Sequence, residues 1–590
     1  MKVANPEIGF ARGSKTADSF SIAGEPARQE NLKRIFLFWL AFSGVLLWLG
    51  PFANYSPAGW LDPWLYTGYF TNFHDMVHRF GLRYYAARLP YVLFGVLMYK
   101  VFSPLAANYL INVAILSADT FSLYAILTRH AGRWAAATGT IALACNPYLI
   151  GTITWDYPDG PAIAFLLLGF WMVLAPPQRW EGKAATVAAG AFWAMAGFTN
   201  LISGLVIIPG VIILLYIKRV NLREALKQCA WLAMGVVLIT AVFGVISLFV
   251  FHTFVFWMPQ WNMYRTMTTT KGLLERMWGT RWAWIPTSHR VAATYGLALI
   301  GGIFFLRYFR QLKRDRFFVM AFLLLALSDL VFAFVEFGMN GAVLRVFYTS
   351  SYLLAPAFIF LGALLAACYK IAQEQGTAWQ RATLAMAVAG VILPFFIIKF
   401  LLRWQQSPGM QWAVLLLISL VGLVAASLPA KGRRIGIALA AFCFALVVSF
   451  STSVNMAYVF FNNRIEFKAA LATQDLLMAG LVKDRPLVFW YDNDEPWSPL
   501  YTSIAMLYVW DYHDLTPGLA TMPVEELRGW ILPDAVIIHL TTVPEKVPQR
   551  TRLLAQRNIK VEDIGYWTVR REHIEFRVYA QHVLNASEVK

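Results

Sequence analysis

Charge is scarce in this chain. Only 14% of its 590 residues are Asp, Glu, Lys or Arg, whereas 58% are hydrophobic and 16% aromatic. At a mean hydropathy of +0.54 there is too little polar surface to clothe folded domains of this size in water, which excludes a soluble multidomain enzyme and a disordered chain. Cysteine is equally sparse. Cys145, Cys229, Cys368 and Cys443 all fall in apolar runs, so no disulfide framework is available. Internal repeats and low-complexity tracts are lacking. After the polar residues 1–34, the first apolar run carries no small-residue cleavage site and reads as an uncleaved signal anchor whose tail stays in the cytoplasm.

Apolar runs of about 17–25 residues, long enough to cross hydrocarbon as helices, are abundant. Roughly thirteen crossings are expected before the sequence turns polar near Phe461. They begin with 35–52 and 106–127 and continue through 134–153, 160–175, 184–198, 201–217, 229–254, 291–306, 317–335, 347–369, 382–402, 412–427 and 435–458. The 50 Lys and Arg against 33 Asp and Glu leave +17, an excess that in a membrane protein orients helices and meets anionic lipid rather than nucleic acid. Run 89–102, bounded by Pro90 and Ser103-Pro104, decides the orientation. If it dips into the outer face without crossing, then Arg129/Arg133, Lys218/Arg219/Arg223/Lys227, Arg307/Arg310/Lys313/Arg314/Arg316 and Lys431/Arg433/Arg434 all fall in the cytoplasm. The split of 184–217 at Thr199-Asn200 is expected to give two short crossings.

The expected fold is a polytopic α-helical protein of a bacterial-type inner (plasma) membrane. A cytoplasmic tail (1–34) leads into a transmembrane domain (35–460) with outer loops at 53–105 and 256–290, followed by an extracytoplasmic α/β domain (461–590). In the last of these, alternating runs at 487–491, 535–540, 566–570 and 575–579 read as strands, and 466–481 and 549–557 as helices.

Acids and bases gather where this topology puts the outer surface. Asp62 stands in Trp60-Leu61-Asp62-Pro63-Trp64, ahead of an amphipathic stretch suited to an interfacial helix; by local sequence alone it is also a helix N-cap before proline. Asp156 and Asp159 occupy a short hairpin between two membrane helices. Carboxylates there can take a proton from a hydroxyl or, with Asp62, hold Mg or Mn. Arg83, Arg88, Arg265, Lys271, Arg276, Arg281 and Arg345 lie outside against the orientation rule, which suits them to a phosphate ligand or to lipid head groups. His74-Asp75-x-x-His78 has metal-ligand spacing but no further ligand nearby, and reads as the wet side of an interfacial helix. Asp119 and Asp329 lie inside apolar runs, where an acid marks an ion site or pairs with neighbouring Ser and Thr. Asp492-Asn493-Asp494-Glu495 reads as a turn after a strand.

This layout resembles the GT-C glycosyltransferases, in particular the protein O-mannosyltransferase and lipid A aminoarabinose-transferase type. The resemblance rests on Asp62 after the first helix, an interfacial helix, and Arg88-Leu89-Pro90-Tyr91 running to Lys100-Val101-Phe102. It continues with Thr128-Arg129-His130, Asn146-Pro147 and the Asp156/Asp159 loop, and then Arg345-Val346-Phe347-Tyr348 with Pro356 downstream. Two departures are a lone Asp-Pro in place of an acidic pair, and Arg-Val-Phe-Tyr in place of Arg-Tyr. The resemblance implies transfer of a sugar from a polyprenyl-phosphate carrier to an outer-face acceptor (a glycan, lipid or protein) with inversion. Asp62 is then the base, and the outer cations with Tyr348 hold the substrate; metal dependence stays open. A secondary transporter built on Asp119 and Asp329, or a lipid-linked polysaccharide ligase or polymerase, are the alternatives.

Overall fold

The computed structural model describes residues 32–49, 61–154, 158–217, 221–270, 272–280, 289–346, 348–404, 433–449, 463–478, 485–508 and 534–585, with short pieces at 55, 58–59, 282 and within 416–428. The first helix, α1 (Leu32–Leu49), is followed by α2 (Leu61–Thr71), α3 (Phe73–Phe80) and α4 (Leu89–Val101), which belong to the first of the two loops that the sequence reading expects outside and that keep the name outer loops. Then come α5 (Pro104–His130), α6 (Arg133–Ala144), α7 (Pro147–Thr154), α8 (Asp159–Leu174), α9 (Lys183–Thr199), α10 (Gly204–Ile217) and α11 (Leu222–Phe251). The second outer loop carries α12 (Met258–Thr269) and α13 (Leu273–Trp278). After it follow α14 (His289–Arg307), α15 (Arg316–Ala333), α16 (Leu354–Gln373), α17 (Thr377–Trp404) and α18 (Arg433–Ser449).

Among the described residues five helices are long and apolar enough to cross a membrane, or six if the bent pair α7 and α8 counts as one. The chain is a multi-pass membrane protein, but thirteen full spans are not recovered. Polar breaks shorten several runs. Asn146 ends one helix and starts the next, its side-chain oxygen accepting from Tyr148 and Leu149 N–H at 3.0 and 3.1 Å, so 134–153 becomes two helices. Asn200 does the same between α9 and α10, accepting from Ile202 N–H at 3.1 Å; this is the break expected at Thr199-Asn200. Run 89–102 forms the short helix α4, entered through Arg88 and Pro90. The run 412–427 and the end of 435–458 lie largely outside the described residues.

The spans differ in what surrounds them. In Tyr348–Gln373, 94% of the apolar window is buried inside the protein, against 17% for Leu32–Leu49 and Leu222–Phe251, so α16 is the central helix while α1 and α11 turn most of their surface to lipid. Helices α9 and α11 meet through Gly190 and Gly235. A Cβ at either would stand 2.1 Å from the Leu232 carbonyl oxygen or 2.0 Å from that of Val187, the close backbone approach that small residues permit where no hydrophobic force separates helix from lipid.

The C-terminal part holds α19 (Arg464–Met478), β1 (Leu487–Trp490), α20 (Ser498–Met506), β2 (Val536–Thr541), α21 (Lys546–Gln556), β3 (Lys560–Arg571) and β4 (Ile574–Asn585). The sheet order is β1-β2-β4-β3, with β1 and β2 parallel and the other pairs antiparallel. The acidic turn after β1 is a closed network. Lys546 bridges Asp492, Asp494 and Glu495, and Arg550 reaches Asp492 at 3.0 Å. This unit rests on the first outer loop. Buried Trp64 of α2 meets Phe467 of α19, Gln474 donates to Thr71 at 2.9 Å, and Gly59 N–H donates to Ser503 at 2.9 Å.

Candidate functional site

Arg88 is the N-cap of α4, where the outer loop turns into the helix, and its side chain is carried inward to 4% exposure. A guanidinium so placed needs partners for its N–H groups. It finds phenols. One terminal nitrogen donates to Tyr66 of α2 and the other to Tyr84 of the same turn, and its carbon stacks 4.3 Å over the Tyr84 ring. Among the described residues its Nε has no hydrogen-bond partner and no carboxylate lies within ion-pair distance.

Two carboxylates flank this cluster. Asp62, half-buried in the first turn of α2, accepts from Tyr85. Asp159 opens α8, is wholly buried, and accepts from the Asn200 amide at 2.8 Å. Both act electrostatically on Tyr66, Tyr84 and Tyr348. Burial pushes the phenols of Tyr84 and Tyr85 up, and Asp62 adds to this at each, so both stay protonated as donors. The second outer loop closes the group. Tyr264 of α12 donates to Asn200 at 2.7 Å, and Gln260, one turn earlier, donates to the carbonyls of Ala87 and Phe198 at 3.2 and 2.8 Å.

Of the residues singled out in the sequence, the structure gathers Asp62, Arg88, Asp159 and Tyr348. Asp156, Lys271 and Arg281 lie outside the described residues. Arg83, Arg265 and Arg276 are exposed on the outer loops. Arg345 is elsewhere and paired: its Nε lies 2.6 Å from Glu336, and it donates to the carbonyl oxygens of Gly279 and Gly341 at 2.6 and 3.4 Å. Among the described residues no three His, Cys, Asp or Glu side chains form a metal-holding group, and His74 and His78 are exposed. Asp119 is buried with no hydrogen-bond partner for either oxygen, while Asp329 accepts from Thr294 at 3.4 Å. Tyr66, Tyr84, Tyr85, Tyr264 and Gln260 were not anticipated, and Asn200 was expected only as a helix break. Their signal was the Tyr84-Tyr85 pair one turn before Arg88, and an asparagine interrupting an apolar run.

The arrangement packs phenols and two carboxylates around a buried guanidinium that has no ion-pair partner among the described residues. Such a set can hold a phosphate at the guanidinium and take a proton at a carboxylate beside it. No protein-family model matches the sequence, and no curated protein does. Among solved structures, ArnT from Cupriavidus metallidurans bound to undecaprenyl phosphate is similar over 93% of this chain and 97% of its own, at 16% identity and a TM-score of 0.44. Its apo state gives 15% and 0.43. The mycobacterial arabinofuranosyltransferase AftD is similar over 94% of this chain but only 40% of its own, at 13% identity and a TM-score of 0.47. ArnT is of the lipid A aminoarabinose-transferase type that the sequence pattern resembles.

Proposed function

We infer that this protein is an integral membrane glycosyltransferase that moves a sugar from a polyprenyl-phosphate donor to an acceptor hydroxyl at the outer face of the membrane, with inversion. The observation that carries this reading is Arg88, a buried guanidinium whose hydrogen-bond partners among the described residues are neutral phenols. Burying a cation without an anion is costly, and an arriving phosphate monoester supplies the missing charge in bidentate geometry. The pattern from Asp62 through the Asp156/Asp159 hairpin to Tyr348 supports the same reading.

In this mechanism the acceptor O–H gives its proton to Asp62 as its oxygen attacks the anomeric carbon. The bond from that carbon to the phosphate oxygen breaks, and the electron pair leaves on the phosphate. Arg88 meets the growing charge. Asp159, held by Asn200, orients the sugar and the tyrosines around it, a role to which we assign Asp156 as well. A bound Mg or Mn would add charge stabilisation at these carboxylates. Arg83, Arg265, Lys271, Arg276 and Arg281 attract the anionic donor from the membrane surface, and Arg345 fixes the second outer loop through Gly279.

The test is transfer of a labelled sugar from its undecaprenyl-phosphate carrier, with the protein in proteoliposomes and a panel of outer-face acceptors. Transfer, or in the absence of acceptor slow hydrolysis of the carrier, is expected with wild type and lost with Asp62→Asn. Failure to bind undecaprenyl phosphate at all, together with potential-driven uptake abolished by Asp119→Asn, would select the transporter instead.

A further inference from the structure

A cavity of about 810 Å³ lies away from the Arg88 cluster, between α3, the α4–α5 turn and α19 of the C-terminal part. Its inner wall is aromatic and amide-bearing. Phe70 and Tyr99 stand ring to ring at 5.5 Å, and Gln474, 5% exposed, is fixed by its bond to Thr71. Asn72 lines the cavity with a buried amide nitrogen that has no hydrogen-bond partner. The rim is charged with both signs: Asp75, Lys100 and Asp475 are exposed there and make no ion pair among the described residues.

Phe70 belongs to both neighbourhoods. It packs on Tyr91, which packs on Tyr66, the phenol that receives Arg88. Lys100 lies twelve residues beyond Arg88 on α4, about 18 Å at helical rise. The cavity is therefore a neighbour of the reaction centre, too far for its ligand atoms to react there, and large enough for more than one ring.

Its chemistry selects the ligand. Two carboxylates against one ammonium, with the His74 imidazole beside them, disfavour a phosphate, and mixed donors and acceptors beside the half-buried rings of Phe73 and Tyr99 fit hydroxyl groups, which donate and accept while a sugar's C–H face covers a ring. We propose that this cavity binds a neutral, hydroxyl-rich glycan, the distal part of an extended acceptor whose reacting end lies at the Asp62 and Arg88 cluster. The assignment to an acceptor rests on the glycosyltransferase reading, whereas glycan binding itself does not.

The test is binding to the full-length protein in nanodiscs of three probes: maltose, hexyl maltoside below its micelle concentration, and hexyl phosphate. Saturable binding of the maltosides is expected. It should weaken about 10-fold or more in D75A/D475A, whose side chains are exposed, and in Ser103→Trp, which fills the cavity from its mouth. Undecaprenyl phosphate binding is measured on the same samples and should stay at the wild-type level, showing that the fold is kept. Tighter binding of hexyl maltoside than of maltose supports a lipid-borne glycan, and equal binding a free one. Stronger binding of hexyl phosphate, or maltoside binding indifferent to both variants, overturns the proposal. Absence of undecaprenyl phosphate binding in wild type instead counts against the reading of the Arg88 cluster.

Discussion

Arg88 permits a prediction in which binding and stability move in opposite directions. In the unliganded protein its guanidinium is buried, bonded to Tyr66 and Tyr84, and stacked on Tyr84, with Nε unused. Replacing it by Gln removes a fork able to make two charge-assisted hydrogen bonds to a phosphate. At roughly 1.5–3 kcal/mol each, undecaprenyl phosphate affinity should fall about 10²- to 10⁴-fold. Arg88→Lys keeps the charge and loses the fork, so its loss should be smaller, about 10- to 100-fold. The same Gln substitution relieves the protein of a desolvated charge that has no ionic partner among the described residues, so the thermal midpoint in detergent should hold or rise. Arg83→Gln, on an exposed side chain, is the control and should change affinity by about threefold or less. Titration of the tyrosine and tryptophan fluorescence with undecaprenyl phosphate, paired with a melting curve for each variant, gives both readouts. A lower midpoint with unchanged affinity would make Arg88 a structural residue and refute the reasoning.

Other consequences follow from single contacts. Tyr264→Phe removes the bond that fixes Asn200 beside Asp159 and should lower kcat about 10-fold, with little change in donor affinity; equal effects on both would place Tyr264 on the donor instead. Gly235→Val puts side-chain carbon against the Val187 carbonyl and should destabilise the α9–α11 pair by about 1–3 kcal/mol, read as a lower melting midpoint in detergent. His539 of β2 is pushed down to about 3 by burial and then by Arg550, and its Nε2 meets Gln581 at 2.9 Å. Because the unfolded chain protonates this imidazole first, its neutral burial carries no penalty above about pH 6.5 and loses about 1.4 kcal/mol of stability per pH unit below it. Going from pH 7 to pH 5 should therefore cost about 2 kcal/mol, and His539→Gln should flatten that part of the unfolding profile.

How much of this was legible in the sequence depended on whether a signal was local. The strands at 487–491 and 535–540 were visible because both faces of β1 and β2 are buried, and they appear as Leu487–Trp490 and Val536–Thr541. The hairpin of β3 and β4 was expected at 566–570 and 575–579 but runs over Lys560–Arg571 and Ile574–Asn585. The first half of β3 is largely exposed and polar, and such an edge shows no hydrophobic alternation. Asp62 and Arg88 stood out because acids and bases at a membrane's outer rim are conspicuous. The tyrosines did not, since aromatic residues crowd every membrane interface, and only the packing of α2 on the 81–88 turn aims Tyr66, Tyr84 and Tyr85 at one another. Arg345 was conspicuous for the same reason as Arg88, but its partner Glu336, nine residues earlier, is brought back by a π-helical turn at Phe334–Gly338 that apolar periodicity does not reveal. The break at Asn200 was legible as an asparagine interrupting an apolar run, whereas Asn146 divides 134–153 into two helices that were counted as one.

The most direct measurement is single-turnover sugar transfer by Asp62→Asn with the donor pre-bound. A carboxylate that accepts the attacking hydroxyl's proton accounts for about 10²- to 10⁴-fold of rate. The account predicts a loss of that size in the chemical step with undecaprenyl phosphate affinity unchanged. Turnover near wild type, with the donor bound equally well, would contradict it.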